Sequence, residues 1–235
     1  MNHYVDFKTN FVLEVVKDDA KIYIAVDTEY VVFINGEFVD MGAYDDFPNN
    51  KSYDVLNISK YLIKGENELF IIGYAQGIGS FQYIKGTPFI MFSLVNGDFV
   101  LNSNDKILCR ENPYYKSDEV ELISMQMAYT FEYDASNEET EWNNATLVDP
   151  QTVSKKFYER PIKKCVFETK STSIIKAQGT LIRRGNEAAK VSEHIQSDYM
   201  STVFPSKFFQ IKNPAYMQNL ENNFVLWTGW QDFIY

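Results

Sequence analysis

Carboxylates are the commonest reactive groups of this chain, with 32 Asp and Glu against 22 Lys and Arg. Hydrolysis of a glycosidic bond takes two carboxylates about 5–9 Å apart across a sugar pocket. Asp45/Asp46 and Glu132/Asp134 are the pairs to weigh. Asp45 and Asp46 are neighbours, so an extended backbone sends them to opposite sides, whereas Glu132 and Asp134 fall on one strand face. An exposed acidic strand face is the plainer reading of that second pair. Asp54 reads as a local cap for the turn that follows it. No catalytic residue is assigned. No Gly-x-Ser-x-Gly is present to carry a nucleophile, and His3 and His194 stand alone. Gly73, Gly77 and Gly79 do not fit a phosphate-cradling Gly-x-Gly-x-x-Gly, and read as a flexible loop.

Metal chemistry finds little to work with. Cys109 and Cys165 are the only cysteines. They form no Cys-x-x-Cys and read as two buried free thiols, not as a disulfide or a zinc site. No cofactor is expected. A structural calcium ion, which needs only oxygen ligands, could be held by carboxylates such as Asp45 and Asp46. A solvated acidic loop is the alternative there.

Binding a sugar asks for less: an aromatic face for the apolar side of a pyranose and a few amides or carboxylates for its hydroxyls. Tyr44 with Asp45, Tyr74 with Gln76, Phe81 with Tyr83, and Trp142 with Asn143 each offer that pairing from a loop. The candidate carbohydrate-binding residues are therefore Tyr44, Asp45, Tyr74, Gln76, Tyr83 and Trp142. Core packing is the competing reading for each ring, because large rings fill the space between two sheets.

The elements that must position these residues are mostly strands. The chain is 45% hydrophobic and 16% aromatic, and alternation of period two dominates its first hundred residues: Ile22, Ile24 and Val26 on one face, Lys21, Tyr23 and Ala25 on the other. Strands are expected at 11–16, 20–26, 29–34, 37–40, 68–74, 88–95 and 98–101. Asn35-Gly36 and Asn96-Gly97 mark hairpins, the first between two aromatic and β-branched runs. A single helical turn is expected at 57–62. Short strands at this spacing with almost no helix predict an all-β antiparallel sandwich or jelly roll over 1–150. Apolar segments near 120–133 would supply closing strands, and 134–141 is a polar loop. After Pro150 a second section, 151–235, reads as a linker and part of a second β-sandwich. It is entered through the extended Glu159-Arg160-Pro161-Ile162 stretch, with strands at 164–168, 173–177 and 223–227 and a short helix between Glu187 and Ile195.

The net charge of −10 is unevenly spread, about −15 over 1–150 and about +5 over 151–235. So acidic a first part would be repelled by nucleic acid and by anionic membranes, and neither is expected as a partner. No apolar run reaches the roughly 18 residues of a membrane span, and the first residues have neither the basic lead nor the apolar core of a secretion signal. The expected location is cytoplasmic, or secreted where a leader has been removed. The last twelve residues, from Phe224 to Tyr235, form an aromatic-rich run. They read as a strand entering a core, in a polypeptide expected to continue further.

Several of these segments, in order, resemble the N-terminal β-sandwich region of bacterial α-L-rhamnosidases of glycoside hydrolase family 78. They are Ala25 to Tyr30, the Phe33-Ile34-Asn35-Gly36 hairpin, and Tyr53-Asp54-Val55 running through Leu62 to Gly65-Glu66-Asn67. Phe131-Glu132-Tyr133-Asp134-Ala135 is similar to a "GE-x-YDAR" strand of that family, Trp142 to Ala145 to its "W-x-x-A", Arg160-Pro161-Ile162 to its "R-x-IP", and Trp230 to Tyr235 to the strand before its "DLG" turn. The chain departs from the pattern at Phe131, at Ser136 and in the loop from Gly73 to Gly79, which lacks the family's tryptophan. In that family the catalytic carboxylates lie in a later (α/α)₆ barrel, which nothing here encodes. The resemblance therefore implies a non-catalytic front end of a rhamnoside-cleaving enzyme. Its partners would be a rhamnoside or another plant or bacterial glycan, and the C-terminal catalytic domain of the same polypeptide. The alternatives are a free-standing lectin-like module, the sugar-binding sandwich of a β-galactosidase-like enzyme, or a purely structural interaction domain.

Overall fold

The computed structural model describes residues 2–164, except Tyr44, Asp45, Glu119, Glu121, Met125, Met127, Pro150, Gln151, Ser154 and Lys155. The strands expected at 173–177 and 223–227, the helix near 187–195 and the partial second sandwich lie outside the described residues, as does Cys165. The strands are β1 (His3–Leu13), β2 (Lys21–Val26), β3 (Glu29–Ile34), β4 (Glu37–Gly42), β5 (Lys51–Asn57), β6 (Gly65–Ala75), β7 (Ile90–Asn96), β8 (Phe99–Asn102), β9 (Leu108–Glu111), β10 (Leu122–Ser124), β11 (Ala128–Tyr129), β12 (Asn143–Asn144) and β13 (Phe157–Glu159). Among the described residues the helical content is one 3₁₀ turn, Ser59–Tyr61.

Two sheets make the body of a β-sandwich. One has six strands in the order β12-β9-β1-β6-β3-β4, the other five in the order β13-β5-β2-β7-β8, and β10 and β11 form a separate pair. Neighbours are antiparallel except β13, which runs parallel to β5. The core between the sheets is aliphatic: Ile22 and Ile24 of β2, Val32 and Ile34 of β3, Leu69 and Ile71 of β6, and Leu94 of β7 are all buried. Each occupies alternate positions of its strand, the period-two signature of a half-buried sheet. Phe11, Tyr30 and Phe92 are the rings in this layer. Phe7, Tyr61 and Phe99 pack against it from partly buried positions, while Phe33, Phe38 and Phe70 form a row of ring contacts elsewhere. β-branched and leucine side chains already close the space between the sheets.

The Asn35-Gly36 turn has positive φ at both residues, 52° and 78°, as a type I′ turn between twisted strands requires. At the second hairpin Gly97 (φ 61°) begins the turn, while Asn96 ends β7 with its amide turned away. Its side chain accepts from Lys17 N at 2.7 Å and donates to Val15 O at 2.7 Å, which pins the loop that leads out of β1.

Three local expectations are corrected. The first strand runs over His3–Leu13 instead of 11–16, with Asp6 buried against Arg110 and Asn112. Asp54 is not a cap: it lies inside β5, and the 3₁₀ turn has Ile58 at its N-cap with no side-chain capping bond. Glu132 and Asp134 do not share a strand face. They sit in a loop where only Tyr133 makes a bridge, to Tyr115. There Glu132 meets Lys116 at 3.3 Å and Asp134 accepts from Ser136 N and Oγ.

Candidate functional site

Three buried polar clusters and one cavity organise the sandwich. The first cluster closes the side where β4 and β5 meet. Asp54 Oδ2 accepts from Tyr30 Oη at 2.6 Å and from Arg160 Nη2 at 2.9 Å, and Arg160 Nε donates to Oδ1. Lys164 Nζ joins it, 2.9 Å from Asp40 and 3.7 Å from Asp54, and donates to Tyr30 Oη at 3.1 Å. Burial pushes the Asp54 carboxyl up, but the hydrogen bonds from Arg160 and Tyr30 and the Lys164 charge outweigh it and hold it below its ordinary value. Burial and the Asp54 carboxylate together push the Tyr30 phenol far up. β13 and the turn after it thereby seat residues 157–164 on the first compact unit, which ends at Lys164.

The second cluster lies where β2 ends. Lys51 Nζ donates to Asp27 O at 2.8 Å and lies 3.3 Å from Asp27 Oδ1 and 2.9 Å from Asp46 Oδ1. All three side chains are buried. Tyr83 donates to Asp27 Oδ2 at 2.5 Å, and its phenol is pushed up to about 12 by burial and by that carboxylate. Asp46 also accepts from Ser52 N at 2.5 Å. The ammonium of Lys51 thus stands between carboxylates where a cation would otherwise sit. Among the described residues no group of three or more His, Cys, Asp and Glu could hold a metal ion.

The third cluster covers the outer face of the six-stranded sheet. Asp6, on β1 and 1% exposed, accepts from Arg110 Nε at 3.1 Å and from Asn112 Nδ2 at 2.6 Å. Burial raises its carboxyl despite both bonds. Arg110 also reaches Glu139 at 3.2 Å and lies over the Trp142 ring at 4.4 Å, beside Lys8 at 4.8 Å. From Trp142 a row of rings crosses the sheet through Phe70 and Phe33 to Phe38, with centroids 6.0–6.4 Å apart. A second row runs from Tyr74 to Tyr4 and Tyr115.

A cavity of ≈ 580 Å³ opens between the sheets where β1 begins and β6 ends. Val5, Phe7, Val26, Phe89 and Ile107 supply apolar wall, and His3, Asp27 and Glu29 supply polar groups. Its size falls within the range of small-molecule sites, about 300–1,000 Å³. Cys109 also lines it, and burial pushes that thiol up. The walls suit an apolar or amphipathic group.

The residues singled out from sequence are scattered over these features. Tyr74 borders the cavity and donates to Asn2 Oδ1 at 3.2 Å. Gln76 is buried, with its Nε2 on Ile78 O at 2.7 Å. Tyr83 is buried in the Asp27 cluster, Trp142 lies in the third cluster, and Tyr44 and Asp45 fall outside the described residues. The structure does not gather the four described residues into one site. Lys51, Asp6 and Arg110 carried no sequence signal beyond their charge, and Asp27 only its place in the Ala25 to Tyr30 segment, since each depends on a partner far away in the chain.

No protein-family model matches the sequence, and no curated protein sequence matches it. The fold does have known counterparts. It is similar to the family GH78 rhamnosidase of Bacillus sp. GL1, with a TM-score of 0.61 and 20% identity over 69% of this chain and 18% of that one. It is similar to the α-L-rhamnosidase of Streptomyces avermitilis, solved with L-rhamnose, with a TM-score of 0.50 and 17% identity over 67% and 17%. The α-L-rhamnosidase of Dictyoglumus thermophilum aligns over 67% of this chain and 19% of its own, with 21% identity and a TM-score of 0.47. The chain thus spans less than a fifth of the rhamnosidases whose fold it shares, and the resemblance read from the sequence segments is also a resemblance of fold.

Proposed function

We propose that this chain is the accessory, non-catalytic carbohydrate-recognition and bracing region of an α-L-rhamnosidase-like glycoside hydrolase. The parent enzyme would release terminal α-L-rhamnose from rhamnosides. One observation carries the reading: the sandwich shares its fold with a part of family GH78 rhamnosidases that makes up under a fifth of their length. The polar clusters support a bracing role, because they spend their charges on holding segments together: Asp54 on Arg160, Asp27 and Asp46 on Lys51, Asp6 on Arg110. A sandwich of net negative charge also suits an uncharged glycan better than a polyanion.

The test pairs binding with turnover. The purified chain is run by affinity electrophoresis in gels containing rhamnogalacturonan and is assayed with 4-nitrophenyl α-L-rhamnopyranoside. Retardation without hydrolysis is expected. Unchanged mobility in every rhamnose-bearing gel would remove the recognition half of the proposal, and turnover that survives repurification would remove the non-catalytic half.

A further inference from the structure

The outer face of the five-stranded sheet carries a shallow cleft of ≈ 320 Å³ that no sequence motif announced. Its floor is Ala25. The register Ala25↔Met91 sets Met91 on one side of that small residue, and Ile24↔Asp54 brings Tyr53, one position on, to the other. Across the next row Tyr23 faces Ser93, which faces Asn102. A methyl group between a ring and a long thioether leaves a depression, and Tyr23 and Tyr53 wall it with centroids 6.2 Å apart and planes tilted by 56°. The rings do not stack flat on each other. Tyr23 is 37% exposed and Met91 42%.

Two further features narrow the ligand. Among the described residues no charged side chain lines the cleft on a chain of net charge −10, so none of them would compensate an ionic ligand. Among the described residues no hydrogen bond is made by the Ser93 hydroxyl or the Asn102 side-chain amide; Asn102 uses only its backbone carbonyl, accepting from Asn104. The cleft therefore presents aromatic and thioether surface beside one hydroxyl and one amide with donor and acceptor capacity unspent. That is the pairing a pyranose needs, with its C–H face on a ring and its hydroxyls on short polar groups.

We infer that this cleft binds one neutral pyranose unit of a glycan, stacked against Tyr23 and Tyr53 and hydrogen-bonded by Ser93 and Asn102. The inference rests on the carbohydrate-recognition reading above and gives it a place on the molecule. Tyr74, Gln76, Tyr83 and Trp142 take no part: Tyr74 borders the cavity, Gln76 is held on Ile78 O, and Tyr83 and Trp142 belong to the second and third clusters.

The experiment titrates the full chain with methyl α-L-rhamnopyranoside, methyl β-D-galactopyranoside and sodium glucuronate by saturation-transfer difference NMR, alongside the rhamnogalacturonan gels. Tyr23→Ala and Tyr53→Ala should each weaken binding of the neutral ligand about tenfold, and Ser93→Ala with Asn102→Ala several-fold. Trp142→Ala should leave it unchanged, and glucuronate should not bind. Thermal melts identify any tyrosine variant that fails to fold, and the small polar substitutions then carry the test. Binding or gel retardation that survives Ser93→Ala/Asn102→Ala and the folded tyrosine variants overturns this site while leaving the carbohydrate reading intact. No saturation and no retardation with the wild-type chain overturns both.

Discussion

The side-chain amide of Asn35 donates to Asn67 Oδ1 at 3.0 Å, joining the tip of the β3–β4 hairpin to the start of β6. Asn67 is 3% exposed and fully used: it also accepts from Ile63 N at 2.9 Å and donates to Ile63 O and Gly65 O. Asn35 in turn accepts from Glu68 N and donates to Tyr61 O. The two turn motifs that stand out in the sequence are therefore halves of one hydrogen-bonded joint.

Replacing Asn67 by Ala leaves Ile63 N, Ile63 O and Gly65 O without this partner and should cost about 1–3 kcal/mol in urea denaturation. Asn67→Asp should be no better near neutral pH, because a carboxylate oxygen would face two carbonyls. The double variant Asn35→Ala/Asn67→Ala should lose less than the two single losses together, with a coupling of about 0.5 kcal/mol or more. Full additivity would mean the two side chains act independently.

Arg160 and Asp54 form a bidentate pair in which the carboxylate is buried and the guanidinium half-buried. Truncating Arg160 to Ala should destabilise the chain by about 3–5 kcal/mol, much of it from the stranded carboxylate. Arg160→Lys should recover only part, since an ammonium cannot reproduce the planar fork.

The pH dependence of stability should show opposite signs at two aspartates. Asp54 titrates below the ordinary 3.8. Its contribution is therefore whole above that value and is lost as pH falls through the lower folded pKa. Asp6 titrates above 3.8, so its contribution is present in acid and is lost as pH rises through its folded pKa. Melting temperatures followed from roughly pH 2 to 7 should lose part of their acid-side fall in Asp54→Asn. Asp6→Asn should instead flatten the change just above the ordinary carboxylate value. A profile unchanged by either substitution would contradict these assignments.

Gly42 sets how closely β4 approaches the Asp54 cluster. A Cβ there would lie 2.8 Å from Asp54 Oδ2 and 3.2 Å from Tyr30 Oη. Both atoms are held by hydrogen bonds and cannot swing away freely. Gly42→Ala should cost about 1–3 kcal/mol, and distinctly less in an Asp54→Ala background. Equal costs in both backgrounds would place the strain elsewhere.

The Cys109 thiol borders the inter-sheet cavity and is pushed up by burial. In a Cys165→Ser background, its reaction with a disulfide reagent near pH 8 should be at least about tenfold slower in the folded chain than in urea. A folded-state rate equal to the unfolded one would mean that the cavity opens freely.

What the sequence determined by itself was local. Alternation in β2, β3, β6 and β7 located those strands, and Asn35-Gly36 located a hairpin, because side-chain period and positive-φ tolerance act within a few residues. The order of those segments also carried the likeness to a rhamnosidase sandwich. Pairing across the chain was not legible in that way. Asp54 looked like a cap because a helical turn was expected just after it, and only the tertiary structure brought Arg160, 106 residues later, to its carboxylate. β1 looked shorter than it is because the partners of Asp6, Arg110 and Asn112, arrive more than a hundred residues away. The same holds for Tyr23, which local spacing places in a strand, and for Tyr53, which it places ahead of a turn. Sheet order and register alone set them on either side of Ala25, since which strand becomes the neighbour depends on the whole core closing.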